Sequence, residues 1–178
     1  MPERRGRPAE PPGPNQALEV AARFLATRPR SRWEVDRRLQ RAGAPGAVRE
    51  QVLDQLAEMG LVDDVAFATW WREQRDRHAP RGHRMLASEL RAKGVPREVI
   101  ETVSASEPAW APEERGLPTT EADRARDALA GHLRGRPLPT DRGALQRIGT
   151  YLMRRGFDAE TARAAIRAAG AETGDDVP

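Results

Sequence analysis

Apolar residues recur at helical spacing along most of this chain, between residues that start and stop helices. From Asn15, a candidate cap, Leu18, Val20, Ala21, Ala22, Phe24 and Leu25 outline a first helix that Pro29 stops. Ser31 with Glu34 has capping-box spacing and opens a second helix, in which Val35, Leu39 and Ala42 form an i, i+4, i+7 stripe before Gly43. Pro45 suits the first turn of a third, through Val48, Val52, Leu53 and Leu56 to Gly60. Asp63 or Asp64 caps a fourth, holding Phe67, Trp70 and Trp71. Pro80 and Gly82 precede a fifth that ends at Gly94, and Pro96 opens a sixth with Val99, Ile100 and Val103. Further on, Thr120 to Asp123 begins a seventh helix through Leu129 and Leu133. An eighth carries Leu145, Ile148 and Leu152 to Gly156, and Asp158 caps a ninth with Ala162, Ala165 and Ile166. No segment sustains the two-residue alternation of a strand, so no sheet is expected.

These helices fall into a repeat. Aligned on Gly43, Gly94 and Gly156, the chain places Leu39, Leu90 and Leu152 together, then Val35, Leu86 and Ile148, then Val20, Trp71 and Leu133. Pro29 and Pro80 match in the first two units. The expected fold class is all-α: an elongated, curved array of three tandem three-helix repeats, about nine helices. Residues 1–14 read as a disordered Pro-rich tail, 15–60 as repeat 1 and 61–105 as repeat 2. A Pro-rich linker with Trp110 follows at 106–120, then repeat 3 at 121–169 and an acidic tail at 170–178. The linker implies few contacts between the second and third repeats.

Charge adds a surface to this scaffold. The 178 residues hold 30 Lys+Arg against 27 Asp+Glu, and every base but Lys93 is an arginine. The charges are blocked: residues 23–49 carry eight Arg against two acids, whereas 50–64 carry five acids and no base. Arg37 and Arg41 lie opposite Val35 and Leu39 on their helix, as Arg84 and Arg91 lie opposite Leu86 and Leu90. The candidate partner- or DNA-binding surface is a basic stripe of Arg30, Arg32, Arg37, Arg38, Arg41, Arg81, Arg84, Arg91 and Lys93. Such a stripe suits a phosphate backbone or an acidic groove on a protein.

Catalytic chemistry is thin. There is no cysteine, His78, His83 and His132 lack ligand spacing, and Asp63 with Asp64 supplies too few carboxylates for a metal nuclease. No glycine-rich phosphate loop occurs. Trp70 and Trp71 suit core packing better than base stacking. The expectation is a non-enzyme without cofactor or metal, cytoplasmic, monomeric and outside the membrane.

Three stretches resemble the RecX family, regulators of the bacterial recombinase RecA. They are Arg28 to Arg32 with Glu34, Leu39 and Gly43; Gly60 to Asp64 with Phe67 and Ala68; and Ser88 to Val95 with Glu98, Val99 and Ile100. The similarity is strong over residues 17–104, and 121–169 follow in pattern. The resemblance implies a modular helical protein seated in the groove of the RecA–DNA filament. It further implies suppression of ATPase, strand exchange and coprotease activity, hence a place in DNA repair, recombination and the SOS response. Some members bind single- or double-stranded DNA directly, and a DNA-binding helical protein acting through its arginine stripe is the alternative reading.

Overall fold

The capping residues set most of the helix ends. The computed structural model describes residues 10–105 and 120–174, which form nine α-helices and no strand. They are α1 (Pro14–Leu25), α2 (Arg32–Arg41), α3 (Gly46–Glu58), α4 (Asp64–His78), α5 (His83–Ala92), α6 (Arg97–Ala105), α7 (Glu121–Leu133), α8 (Arg142–Arg154) and α9 (Ala159–Gly174). The expectations for residues 1–9, for 106–119 with Trp110, and for 175–178 lie outside the described residues.

Ser31 and Glu34 close the predicted capping box on α2: the Ser31 hydroxyl accepts from the Glu34 N–H at 3.1 Å and the Glu34 carboxylate from the Ser31 N–H at 3.3 Å. Thr120 and Asp123 repeat it on α7. Asp63 caps α4 through the Val65 and Ala66 N–H groups, and Asp158 caps α9 through Thr161. Two ends differ from the sequence reading, and the α8 cap was not part of it. Helix α1 starts at Pro14 behind Gly13 rather than at an Asn15 cap, because proline is preorganised for the first helical position. Pro45 is the cap residue of α3 rather than a member of its first turn, and α8 is capped by Asp141. The αL glycines Gly43, Gly60 and Gly156 end α2, α3 and α8, with six-to-one bonds such as Ala44 N–H to the Leu39 carbonyl at 3.1 Å.

Two compact units result, divided within α4: residues up to Phe67 with Lys93–Val95, and Ala68–Ala92 with Pro96 onward. In the first, Ala17, Ala21, Val35, Leu39, Val52, Leu53 and Leu56 form the core of α1, α2 and α3. In the second, Leu86, Leu90, Ile100 and Val103 are buried on α5 and α6, while Ala125, Leu129, Ile148, Leu152, Phe157 and Ala165 pack α7, α8 and α9. Burial aligns Ala17, Ala68 and Ala125, then Ala21, Arg72 and Leu129. The expected match of Leu133 with Val20 and Trp71 is therefore corrected. The connection from α7 to α8 is longer than its counterparts, which slides α7 out of the glycine-based register.

The few contacts expected between the second and third repeats are also corrected. Asp76 on α4 and Arg124 on α7 form a two-point ion pair, 2.9 and 3.3 Å, with the Asp76 side chain 1% exposed. The Gly82 N–H donates to the Arg155 carbonyl at 2.9 Å, and a Cβ on Gly82 would strike the backbone of Gly156 and Phe157. A related joint lies within the first unit, where the Ser31 hydroxyl donates to the Lys93 carbonyl at 2.6 Å and a Cβ on Gly94 would overlap Trp33. Gly82 follows Ser31, and Arg155 follows Lys93, in the repeat register.

Candidate partner-binding surface

Helix α2 turns Val35 and Leu39 inward, both 0% exposed, and thereby turns Trp33, Arg37, Gln40 and Arg41 to solvent. The Arg37 guanidinium carbon stands 5.6 Å from the Trp33 ring centroid, and Nη1 donates to Gln40 Oε1 at 2.9 Å. Arg41 is exposed and makes no hydrogen bond or ion pair among the described residues. Arg38 is half-buried beside them. On α5, Leu86 and Leu90 are buried, Arg84 and Arg91 are exposed, and neither arginine makes a hydrogen bond or ion pair among the described residues. In the repeat register Arg84 follows Trp33 and Arg91 follows Gln40. The charge thus recurs by helix face, not position by position.

The remaining stripe residues are engaged within their own units. Arg30 lies over the Phe24 ring at 3.9 Å and donates to the Phe24 carbonyl and Thr27 hydroxyl. Arg32 pairs with Asp54 at 2.7 Å, while its backbone N–H donates to Asp64 at 2.9 Å. Lys93 reaches Glu34 at 3.3 Å, where Arg28 also binds at 2.8 Å. Burial pushes the Glu34 carboxyl up, but the Arg28 bond and charge, Lys93 and the Ser31 N–H together hold it below the usual carboxylate range. Arg81 stands 3.7 Å from Glu89. Glu89 also takes Arg75 at 2.7 Å and the Trp71 indole N–H at 2.9 Å. Burial raises the carboxyls of Asp64 and Glu121, each receiving a backbone N–H from a second helix, at Arg32 and at His83.

Trp33 was missed in the sequence, although its place four residues before Arg37 and off the Val35–Leu39 stripe puts it on the solvent face; it is 44% exposed. Trp70 and Trp71 are half-buried, with Arg75 over the Trp71 ring at 4.5 Å. His132 stacks on Tyr151 at 4.0 Å. Among the described residues no group of three or more His, Cys, Asp and Glu side chains is placed to hold a metal ion, and no helix is long and apolar enough to cross a membrane.

Residues 17–56 match the first three-helix domain of RecX and 63–103 the second. The chain is 38% identical over 150 residues to a "Regulatory protein RecX" of Mycobacterium avium, covering 84% of this chain and 82% of the relative. The protein of the same name from Mycolicibacterium smegmatis is 37% identical, covering 80% of this chain and 73% of its own. The crystal structure of RecX from Lactobacillus salivarius superimposes with a TM-score of 0.69 at 15% identity, over 89% of this chain and 97% of that one. A second crystal structure, of a regulatory protein RecX, gives 0.67 at 19% identity, over 84% and 71%.

Proposed function

The chain belongs to the RecX family of regulatory proteins, and from that premise we propose that it inhibits the RecA recombinase by lying in the groove of the RecA–DNA filament. Suppression of ATP hydrolysis, strand exchange and coprotease activity follows from that position, within DNA repair, recombination and the SOS response. The observation that carries the proposal is the solvent faces of α2 and of α5, where Arg37, Arg41, Arg84 and Arg91 stand outside the ion pairs formed within each unit. A filament repeats its own surface, so repeats bearing the same kind of face can engage successive subunits. Linked contacts of this sort exceed single ones by ~10²–10⁴ in avidity. Inhibition then requires no chemistry, only tighter binding to one filament state than to another.

The deciding experiment measures filament ATPase against wild type and the R37E/R41E/R84E/R91E variant. All four positions are exposed, so each reversal should shift stability by only about 0.5 kcal/mol or less. Wild-type inhibition should weaken with salt and the variant should lose most of it. Full inhibition by a folded quadruple variant would refute the assignment. Direct DNA binding is the second reading, favoured by the exposed Trp33 beside the Arg37 guanidinium, an arrangement on which an unpaired base can stack. It requires bare oligonucleotide to bind as tightly as filament, with Trp33→Ala weakening both alike.

A further inference from the structure

The groove between the second and third helices of a repeat is treated differently in repeats 1 and 3. In repeat 1 two ion pairs close it, Arg32 to Asp54 and Arg49 to Asp36, both at 2.7 Å. Helices α8 and α9 keep the register of α2 and α3, because Gly43 and Gly156, Ala44 and Phe157, and Pro45 and Asp158 take the same places in the intervening turn. Across that register Arg32, Asp36, Arg49 and Asp54 become Leu145, Gly149, Ala162 and Arg167. Both ion pairs disappear, three places lose their charge, and the fourth holds a cation where repeat 1 has an acid.

What remains is an open groove of about 440 Å³, floored also by Met153 and Ile166, with Arg163 and Arg167 on the α9 side. None of its lining residues is acidic. Met153 is 49% exposed, and neither arginine has a hydrogen bond or ion pair among the described residues. An apolar floor beside two cations one helical turn apart fits a particular ligand chemistry.

We propose that this groove receives an acidic amphipathic helix of a protein partner. An apolar i, i+4 stripe would cover Met153 and Ile166, Gly149 would let the incoming backbone approach, and carboxylates on its flank would meet Arg163 and Arg167. A nucleic acid would satisfy the arginines and leave the apolar floor uncovered. In repeats 1 and 2 the N-terminal end of the second helix already receives a carboxylate from a following helix: Asp64, opening α4, accepts from the Arg32 N–H, and Glu121, opening α7, accepts from the His83 N–H. None of the α2 and α5 arginines lines the α8–α9 groove, so it extends the proposed function without depending on it.

A fluorescent synthetic helix with leucine at i, i+4 and i+7 and flanking glutamates, titrated into the full chain and followed by anisotropy, tests the proposal. Saturable binding is expected, weakened about tenfold or more by Met153→Glu and by R163E/R167E, the latter gaining affinity for the lysine-flanked counterpart. Circular dichroism establishes that each variant is folded. Absence of saturable binding overturns the proposal, as do equal affinity for the lysine-flanked peptide, unchanged affinity in both folded variants, or displacement of the peptide by oligothymidylate. No recombinase enters this titration, so its failure leaves the filament reading standing, and loss of the filament reading leaves the groove standing.

Discussion

A side chain at Gly94 meets two obstacles, and other glycines separate them. Gly94 has φ of +72° and a Cβ there overlaps Trp33; Gly60 has φ of +68° with nothing within 4 Å; Gly82 has no positive φ but abuts the Gly156–Phe157 backbone. Gly60→Ala should therefore cost about 1–2 kcal/mol, the left-handed penalty alone. Gly94→Ala should cost more by an overpacking increment of about 1–3 kcal/mol. Gly82→Ala should cost at least as much as Gly60→Ala, because backbone atoms cannot rotate away. Urea denaturation of the three variants checks the ranking, and equal losses at Gly60 and Gly94 would remove the Trp33 contact from the explanation. Glu34 gives a pH-dependent counterpart. Its carboxyl is held below the usual range, so the stability it contributes is present above that range and disappears as pH falls through the folded value. Glutamine keeps the reach of the capping box but not the charge. Glu34→Gln should cost most near neutrality and progressively less on acidification; a pH-independent loss would place the effect in the cap rather than the Arg28 and Lys93 ion pairs.

Among elements, the helices were legible because their signals are local: Ser31 with Glu34, Thr120 with Asp123, and glycines closing α2, α3, α5 and α8 all act within a turn or two of themselves. The buried pair of Asp76 and Arg124 was not, since Asp76 sits among Glu73, Arg75 and Arg77 in a run that reads as a solvated face. Its partner arrives from α7, 48 residues on, and nothing within α4 announces that contact. Four of the nine residues of the basic stripe were illegible for the same reason: Arg30, Arg32, Arg81 and Lys93 look like Arg41 until Phe24, Asp54, Glu89 and Glu34 are brought beside them. The α4–α7 pair also makes a sharp energetic prediction. Asp76→Ala takes from buried Arg124 its two-point partner, leaving only Glu121 at 4.0 Å, and should cost about 3–5 kcal/mol, whereas Asp76→Leu with Arg124→Leu should be milder, the remaining loss falling on buried Arg72, which also faces Asp76. Additive losses in the double variant, read from chemical denaturation, would mean that the two side chains act independently.

At the scale of the whole molecule, repeat 3 is stitched to repeat 2 rather than merely tethered to it. Asp76 with Arg124, the Gly82 N–H with the Arg155 carbonyl, and the His83 N–H with Glu121 all cross between the two repeats inside the second unit. In a stacked array, stability is a sum of local and nearest-neighbour terms, so losing a neighbour removes the interface term from the repeat that remains. A chain ending at Ala105 should consequently lose helicity per residue on α4 to α6 and melt earlier than the full chain, with Asp76 deprived of its two-point Arg124 partner and left with Arg72 alone. Adding Asp76→Leu to the truncated chain should recover part of that loss, because it removes the stranded carboxylate without restoring the interface. Filament dissociation should be faster for both shortened chains than for the full one, since one of three linked repeats is gone from each. Equal dissociation rates would confine repeat 3 to a structural role. An unchanged melting midpoint after truncation would show that the contacts crossing to α7 and α8 contribute little to holding the second repeat together.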